Sequence, residues 1–403
     1  MSVLKKVHKC FLCKGSLYPV LSIGNHPLCD DLIKISEKKK NAEYPIEIIF
    51  CKNCIIAYQK YLVPKKILFP KNYHYRAKLT KDVLTGQKQL VKEVKKYFKK
   101  LTNAHVLDIG CNDGALLDFF KKERCKTIGV EPTDAAKDAS KKHKIYNNYF
   151  EKKVAIKIKK KFKKIDIITF TNVFAHINDL NKLLKNLKIL LSKNTIIVIE
   201  NHYLGSILKS NQFDTFYHEH PRTYSLKSFK IIASKLNMNV SKVNFPKRYG
   251  GNIKVILSNK KKINNYTKIL KNEKNFFLKF LKLKRIISRW KLNKKKQIKF
   301  LNKKFGPLPA KAFPGRAAIL IKLLRLNKSN ISYIYEQSHS KKINHFAPGS
   351  NIRIISDKYL KKIDNQKPII NFAWHIPFEI KNYLKKIGVK NKVIDIIQKK
   401  DII

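Results

Sequence analysis

Acidic residues are scarce in this sequence: 27 Asp and Glu stand against 88 Lys and Arg over 403 residues. Arginine is scarce too, so the formal net charge of +61 is carried mostly by lysine spread along the chain. Nucleic-acid recognition favours arginine, whose fork reads bases and phosphates bidentately. Abundant lysine, isoleucine and asparagine read instead as the product of A/T-rich codons. There is no apolar run of the ~18 residues that a membrane span needs, and the opening MSVLKKVHKC has no apolar signal core. These absences lead to the expectation of a soluble, cytoplasmic protein with no specific nucleic-acid or membrane partner. Seven cysteines, an odd number, do not make a disulfide framework. What is present, 44% hydrophobic and 11% aromatic residues, suffices for real cores and excludes a disordered chain.

Three regions follow one another. Residues 1–78 are irregular, with cysteine pairs, turns and aromatics. Residues 79–258 open on a helix from Lys81 to Lys100 and continue as alternating strands and helices: HVLDIG, ALLDFFKK, KTIGVE, DAAKDASKKH, IDIITFTNVF, LNKLLKNLKILL, NTIIVIEN. This order predicts a doubly wound parallel sheet covered by helices on both faces. Residues 259–403 begin with a lysine-rich helical stretch, read as a solvated amphipathic helix pair joining two domains. A second, smaller α/β alternation then runs through AAILIKLL, ISYIYE, PIINFAW and FEIKNYLKKIG.

Four cysteines form two CxxC knuckles, Cys10 with Cys13 and Cys51 with Cys54, separated by 37 residues. Two thiolates at this spacing reach one ion from a tight turn, and two knuckles complete a tetrahedral sulfur site. Sulfur-only ligation leaves no open position for substrate, so the expectation is structural zinc that supplies folding energy to a region with little core. Cys29, Cys111 and Cys125 read as free buried thiols.

In HVLDIGCNDGALLDFF a strand ends near Asp108, and a turn with Gly110 and Gly114 enters a helix. Glycines there let the backbone approach a ligand, whose polar groups meet a helix N-terminus. Twenty-one residues past Gly110, the next strand ends at Glu131, a carboxylate placed to accept from ribose hydroxyls. A dinucleotide turn needs GxGxxG, but Asn112 and Ala115 occupy the second and third glycine positions. The GxxxG form, with an acid two residues earlier, resembles motif I of the class I S-adenosylmethionine methyltransferases. That resemblance implies that Asp108, Gly110, Cys111, Asn112 and Gly114 line the methionyl side and that Glu131 binds the ribose.

Downstream, FDTFYHEHPRTYS places Tyr217, Glu219 and His220 within four residues. An imidazole suits proton abstraction near neutral pH, and an adjacent carboxylate can orient it. At this point the whole chain resembles the sugar C-methyltransferases that act on nucleotide-linked 4-keto-deoxysugars. The motifs are the paired CxxC region, GCNDG, VEPTD, NVFAHI, FYHEH, RYGGNIKV, APGSNIRI and INFAWHI, in the expected order. The resemblance implies a class I methyltransferase domain between a small N-terminal zinc-binding domain and a C-terminal α/β domain that encloses the substrate. It implies His220 as the base, Glu219 as its orienting partner, and Tyr217, His176 and Tyr73 or Tyr75 near the sugar. Asn172, which opens NVFAHI, joins the cofactor set. One departure stands out: where the family opens its C-terminal domain with a glycine-rich stretch, this chain reads AKAFPGRAAIL.

Two other readings compete. An RNA methyltransferase with a zinc module would carry an acidic-Pro-Pro-aromatic motif after the fourth strand, where this chain has TFTNVFAHI. A non-enzymatic zinc-ribbon scaffold would not keep the glycine turn, Glu131 and YHEH together.

Overall fold

The structure is a computed structural model that describes residues 4–71, 73, 75–260 and 265–401. In the N-terminal region the strands β1 (Tyr18–Pro27), β3 (Glu43–Cys51) and β4 (Ile56–Gln59) form an antiparallel sheet, while β2 (Ile33–Lys34) leaves it. The knuckles sit at its turns. Lys14 and Ile55, each just after the second cysteine of a pair, adopt positive φ of 62° and 52°, and their amides donate to the Cys10 and Cys51 carbonyls.

Helix α1 (Lys81–Phe98) follows, burying Val83, Leu90, Val91 and Val94 on one face. The central sheet is built from β5 (His105–Ile109), β6 (Lys126–Val130), β7 (Lys144–Tyr146), β8 (Ile167–Thr171) and β9 (Ile196–His202), with helix α2 (Ala115–Lys122) between β5 and β6. Three later strands complete the picture: β10 (Arg222–Thr223), β11 (Asn239–Asn244) and β12 (Asn252–Ser258). The spatial order is β11-β12-β9-β8-β5-β6-β7. Strands β5 to β9 run parallel, and β12 is antiparallel to β9. Their residues are Val, Ile and Leu with little alternation, as a sheet covered on both faces requires. The order reverses between β5 and β8, and a crevice opens at their C-terminal ends.

Helix α3 (Phe276–Phe305) was expected to be a solvated connector. It does present lysines to water, but Phe276, Phe280, Leu283, Ile287, Trp290, Lys294 and Ile298 recur at three- and four-residue intervals and are buried. Phe280 meets Phe50 and Phe216, each at 5.6 Å between ring centroids, and the Trp290 Nε1 donates to the Ile396 carbonyl at 2.9 Å. Fully burying each such apolar side chain contributes roughly 1.5–3 kcal/mol, which makes the helix a seam between modules.

The C-terminal sheet contains β13 (Leu308–Lys311), β14 (Ile331–Glu336), β15 (His345–Phe346), β16 (Arg353–Ser356), β17 (Ile369–Asn371) and β18 (Val393–Asp395), in the order β18-β17-β13-β14-β16-β15-β2. Its five parallel strands also reverse order, between β13 and β17. The strand β2, from the N-terminal region, closes the edge against β15. A second exchange runs the other way. The strand β10 leaves the central region and pairs with β4, Arg222 opposite Tyr58 and Thr223 opposite Ala57. Neither exchange was expected from the sequence, because both strands are two residues long and their partners lie far away along the chain.

Candidate active site

The four sulfur atoms of Cys10, Cys13, Cys51 and Cys54 all lie within 4.8 Å of one another, and Cys13 and Cys51 are 3.6 Å apart. Tetrahedral zinc with Zn–S bonds of about 2.3 Å places its sulfurs about 3.8 Å apart, so the cluster fits the ion. Cys10, Cys51 and Cys54 are buried and Cys13 is exposed at the rim. The Tyr58 hydroxyl lies 3.2 Å from the Cys10 sulfur and accepts from the Phe11 amide at 3.3 Å. This is a closed structural centre, and its donor set is that of zinc.

At the C-terminal end of β5 the chain makes the tight turn that the glycines allow. Gly110 has φ +74°, and a Cβ there would stand 2.6 Å from the Val173 methyls. Asn112 also sits at positive φ and donates its amide to the Glu131 carboxylate at 2.9 Å. The other Glu131 oxygen accepts from the Thr133 amide and hydroxyl at 2.9 and 2.7 Å. The carboxylate is therefore held rigidly at the end of β6. Asp108 is buried and accepts from the Thr169 hydroxyl at 2.7 Å. Burial pushes its carboxyl up to about 7 despite that bond, and the Glu131 charge adds to the rise. The turn is latched from outside: the Asn112 side chain accepts from the Ala77 amide and donates to the Tyr75 carbonyl.

A cavity of about 1770 Å³ lies along this turn. Asp108, Gly110, Cys111, Asn112, Glu131 and Asn172 of the expected cofactor set line it. Gly114 is not among the lining residues; it has φ +79° at the start of α2, packed toward Ala139 and His143. The Thr171 hydroxyl, at the end of β8, is buried without a hydrogen-bond partner and belongs to the same wall. An orphaned donor beside a glycine turn and a fixed carboxylate fits a ligand with ribose and amino-acid groups.

The same cavity is lined by Tyr73, His176, Tyr217, Glu219 and His220, the residues expected at the reacting end. The segment that carries three of them is stitched to the zinc-bearing sheet. The Gln59 amide donates to the Pro221 carbonyl at 2.9 Å, and its side chain donates to the Phe216 and Tyr217 carbonyls, each at 3.3 Å. Buried Arg222 donates to the Tyr224 hydroxyl and to the Asn178 carbonyl.

One expectation is corrected here. Glu219 does not orient His220: the His220 Nδ1 lies 3.1 Å from the Thr215 carbonyl. A carbonyl only accepts, so Nδ1 carries the proton and Nε2 keeps its lone pair. Glu219 is buried in the same cavity wall, and burial raises its carboxyl well above the ordinary carboxylate range. The His220 ring lies 4.2 Å from that of Tyr217 and 5.1 Å from those of His176 and His202. Burial holds His220 well below the ordinary imidazole range, with the two neighbouring histidines adding to it. Burial likewise lowers His176 to about 4, and holds the Tyr217 hydroxyl in its protonated form.

His202, His375 and Asp30 also line the cavity and were missed. His202 ends β9, and His375 lies just past β17. Residues at the C-terminal ends of parallel strands were the available signal. The altered entry AKAFPGRAAIL delivers Arg316, whose guanidinium donates to Asp214 at 2.6 and 2.8 Å, while the Trp374 Nε1 donates to the same carboxylate at 2.8 Å. This buried cluster fixes the C-terminal module against the FYHEH segment.

Comparison with known proteins matches the chain in three successive stretches. Residues 10–69 match a zinc binding domain, 83–243 a methyltransferase domain, and 247–394 a C-methyltransferase C-terminal domain. The C-methyltransferase NovU of Streptomyces niveus is 24% identical over 258 residues, 63% of this chain and 61% of that protein. The ubiquinone biosynthesis O-methyltransferase of Pelagibacter ubique (strain HTCC1062) is 32% identical over 119 residues, 28% of this chain and 48% of that protein. The matches thus span less than two thirds of either relative's length. Among solved structures, the PH0226 protein from Pyrococcus horikoshii OT3 aligns with 48% of this chain and 98% of its own at 13% identity and a TM-score of 0.36.

Proposed function

We propose that the chain is a C-methyltransferase, a reading supported by its matches to zinc-binding, methyltransferase and C-methyltransferase C-terminal domains in that order, and that it methylates a carbon next to the ketone of a nucleotide-linked 4-keto-deoxysugar. The observation that carries this reading is the shared cavity. At about 1770 Å³ it exceeds the ~300–1,000 Å³ of a pocket for one small ligand, and it joins the glycine turn to the FYHEH side chains. Two reactants fit side by side. Lys182, Lys185, Lys341 and Lys342 on its walls suit an anionic diphosphate.

S-adenosylmethionine, when bound, supplies a methyl group made electrophilic by its sulfonium. Asp108, Gly110, Cys111 and Asn112 would hold its methionyl side and Glu131 its ribose. The protein's own part is proton chemistry. A carbon next to a ketone is acidified because the electron pair left by deprotonation moves onto the ketone oxygen. His220 takes that proton at Nε2, with its ring held by the Thr215 carbonyl. Tyr217, whose hydroxyl keeps its proton, and His176, a neutral imidazole with one ring N–H to donate, stabilise the enolate oxygen. Mass spectrometry of products from a panel of nucleotide-linked 4-keto sugars and labelled S-adenosylmethionine, run beside bulk RNA, tests the reading. Label entering RNA and no sugar would overturn it.

Two further results are expected. Glu131→Ala should weaken S-adenosylmethionine by about 1.5–3 kcal/mol in calorimetry, the scale of a lost charge-assisted hydrogen bond. Undiminished affinity would place the ribose elsewhere. The rate should also stay level from pH 8 down through the ordinary imidazole value of ~6.5. Burial depresses His220, so its lone pair is available above that value and is lost only at lower pH, as the ring protonates. A kcat that falls already at pH 7 with S-adenosylmethionine saturating, so that titration of Asp108 near 7 does not limit cofactor binding, would show an unperturbed base.

A further inference from the structure

The segment that presents His220 begins in a short 3₁₀ turn, Phe213–Thr215. Its backbone is closed by the Thr215 amide on the Gln212 carbonyl at 3.0 Å and the Phe216 amide on the Phe213 carbonyl at 3.2 Å. A turn this short, with the poorer hydrogen-bond geometry of a 3₁₀ helix, does not hold its own shape. Its side chains hold it instead, and they reach three different parts of the fold. Phe213 is buried against Trp290 of α3, 4.9 Å between ring centroids. Buried Gln212 donates to the Gly250 carbonyl at 2.6 Å, on the RYGG turn before β12, and accepts from Arg316 at 3.3 Å. Asp214 is fully buried and accepts both bonds of the Arg316 fork and a third from the Trp374 Nε1.

Arg316 follows β13 and Trp374 follows β17, the two strands between which the C-terminal sheet reverses its order. Loops at such a point usually face a ligand. Here two of their side chains close on one carboxylate of the neighbouring domain. A guanidinium fork fixes a carboxylate in orientation as well as distance, and the indole adds a third bond against rotation. The next residue is Thr215, whose carbonyl, 3.1 Å from the His220 Nδ1, decides which ring nitrogen keeps the proton. Among the described residues, Arg316 and His220 line the cavity, while Asp214, Thr215 and Trp374 do not. The grip on Asp214 therefore acts from behind the cavity wall.

We propose that Asp214 is the positioning residue of the base: held by Arg316 and Trp374, it fixes the Phe213–Thr215 turn, and with it the Thr215 carbonyl that keeps the His220 proton on Nδ1 and the lone pair on Nε2. The C-terminal module thereby takes part in catalysis besides enclosing the substrate, because its docking sets the base. The inference rests on the reading of His220 as the base and deepens it.

The test follows the imidazole and the reaction separately. In protein with isotope-labelled histidine, the His220 ring signals are those that vanish from the nitrogen spectrum of His220→Asn. Wild type should show this ring protonated at Nδ1. In Asp214→Asn it should become a mixture of both tautomers, and kcat should fall about 10–100-fold, the scale of a reacting group misplaced by about 1 Å. KM for the sugar and S-adenosylmethionine affinity should stay unchanged, because Asp214 stands outside the cavity. Trp374→Phe keeps the Arg316–Asp214 pair and removes one bond, so it should move both readouts the same way but less, with a melting curve like that of wild type. It carries the test if Asp214→Asn, which leaves the buried Arg316 charge unpaired, does not fold. A His220 ring that stays protonated at Nδ1 in the folded variants would overturn the inference, as would a loss confined to KM or to cofactor affinity. If wild type turned over no sugar of the panel, the substrate reading would fall, and the ring signals would still decide whether Asp214 sets the His220 tautomer.

Discussion

Cys51→Ala should abolish methyl transfer, and prolonged chelation of the wild type should do the same. The reason is mechanical. Cys51 ends β3, the knuckle turns through Cys54, and β4 begins at Ile56. That strand pairs with Arg222 and Thr223, and its Gln59 holds the backbone of Phe216, Tyr217 and Pro221. The zinc centre therefore anchors the segment that presents His220. A structural zinc contributes about 10–16 kcal/mol of apparent binding free energy, comparable to the whole stability of a domain, ~5–15 kcal/mol. Losing it should unfold the N-terminal sheet rather than loosen it. Elemental analysis should find one zinc per chain in wild type and almost none in Cys51→Ala. Activity should fall below detection, and the melting temperature should drop. Wild-type protein purified without zinc but fully active would sink the assignment, as would Cys51→Ala with full zinc content and stability.

His220→Asn should lower turnover about 10²–10⁴-fold, the usual contribution of a positioned general base, while S-adenosylmethionine affinity survives. Asparagine can still donate its side-chain amide to the Thr215 carbonyl, so the segment keeps its shape while the basic lone pair is removed. Calorimetry with the cofactor and a melting curve should both match wild type. Glu219→Gln should behave differently. Its carboxyl does not orient the imidazole, so the loss should appear in KM for the sugar more than in kcat. Exchange supplies a separate readout: wild type should wash solvent deuterium into the carbon next to the ketone, and His220→Asn should not. Turnover within threefold of wild type in His220→Asn would pass the role to another group, with Tyr217 and His176 next in line.

Much of this protein was legible before its structure. The CxxC spacing announces a sulfur site because two thiolates three residues apart can share one ion. The run from Val106 to Gly110, the turn, and Glu131 announce a doubly wound sheet with a ligand at its strand ends. Those signals are local, and local signals survive in one dimension. The apolar face of the 276–305 helix was equally visible, yet its lysines concealed how deeply Trp290 sits.

What tertiary structure alone decided is how distant segments complete one another. No periodicity marks Arg222 and Thr223 as the fourth strand of a sheet that begins two hundred residues earlier, or Ile33 and Lys34 as the edge of one that ends near the C-terminus. Two-residue strands have no stability of their own and exist only where a partner edge meets them. The same holds for the site. Adjacency in YHEH suggested that Glu219 serves His220, but the fold gives the His220 Nδ1 to the Thr215 carbonyl. Sequence by itself determined the donor sets and the sheet that carries them. Only the packing of three modules around one cavity determined which side chain meets which, because hydrogen bonds form across space and burial is a property of the whole molecule.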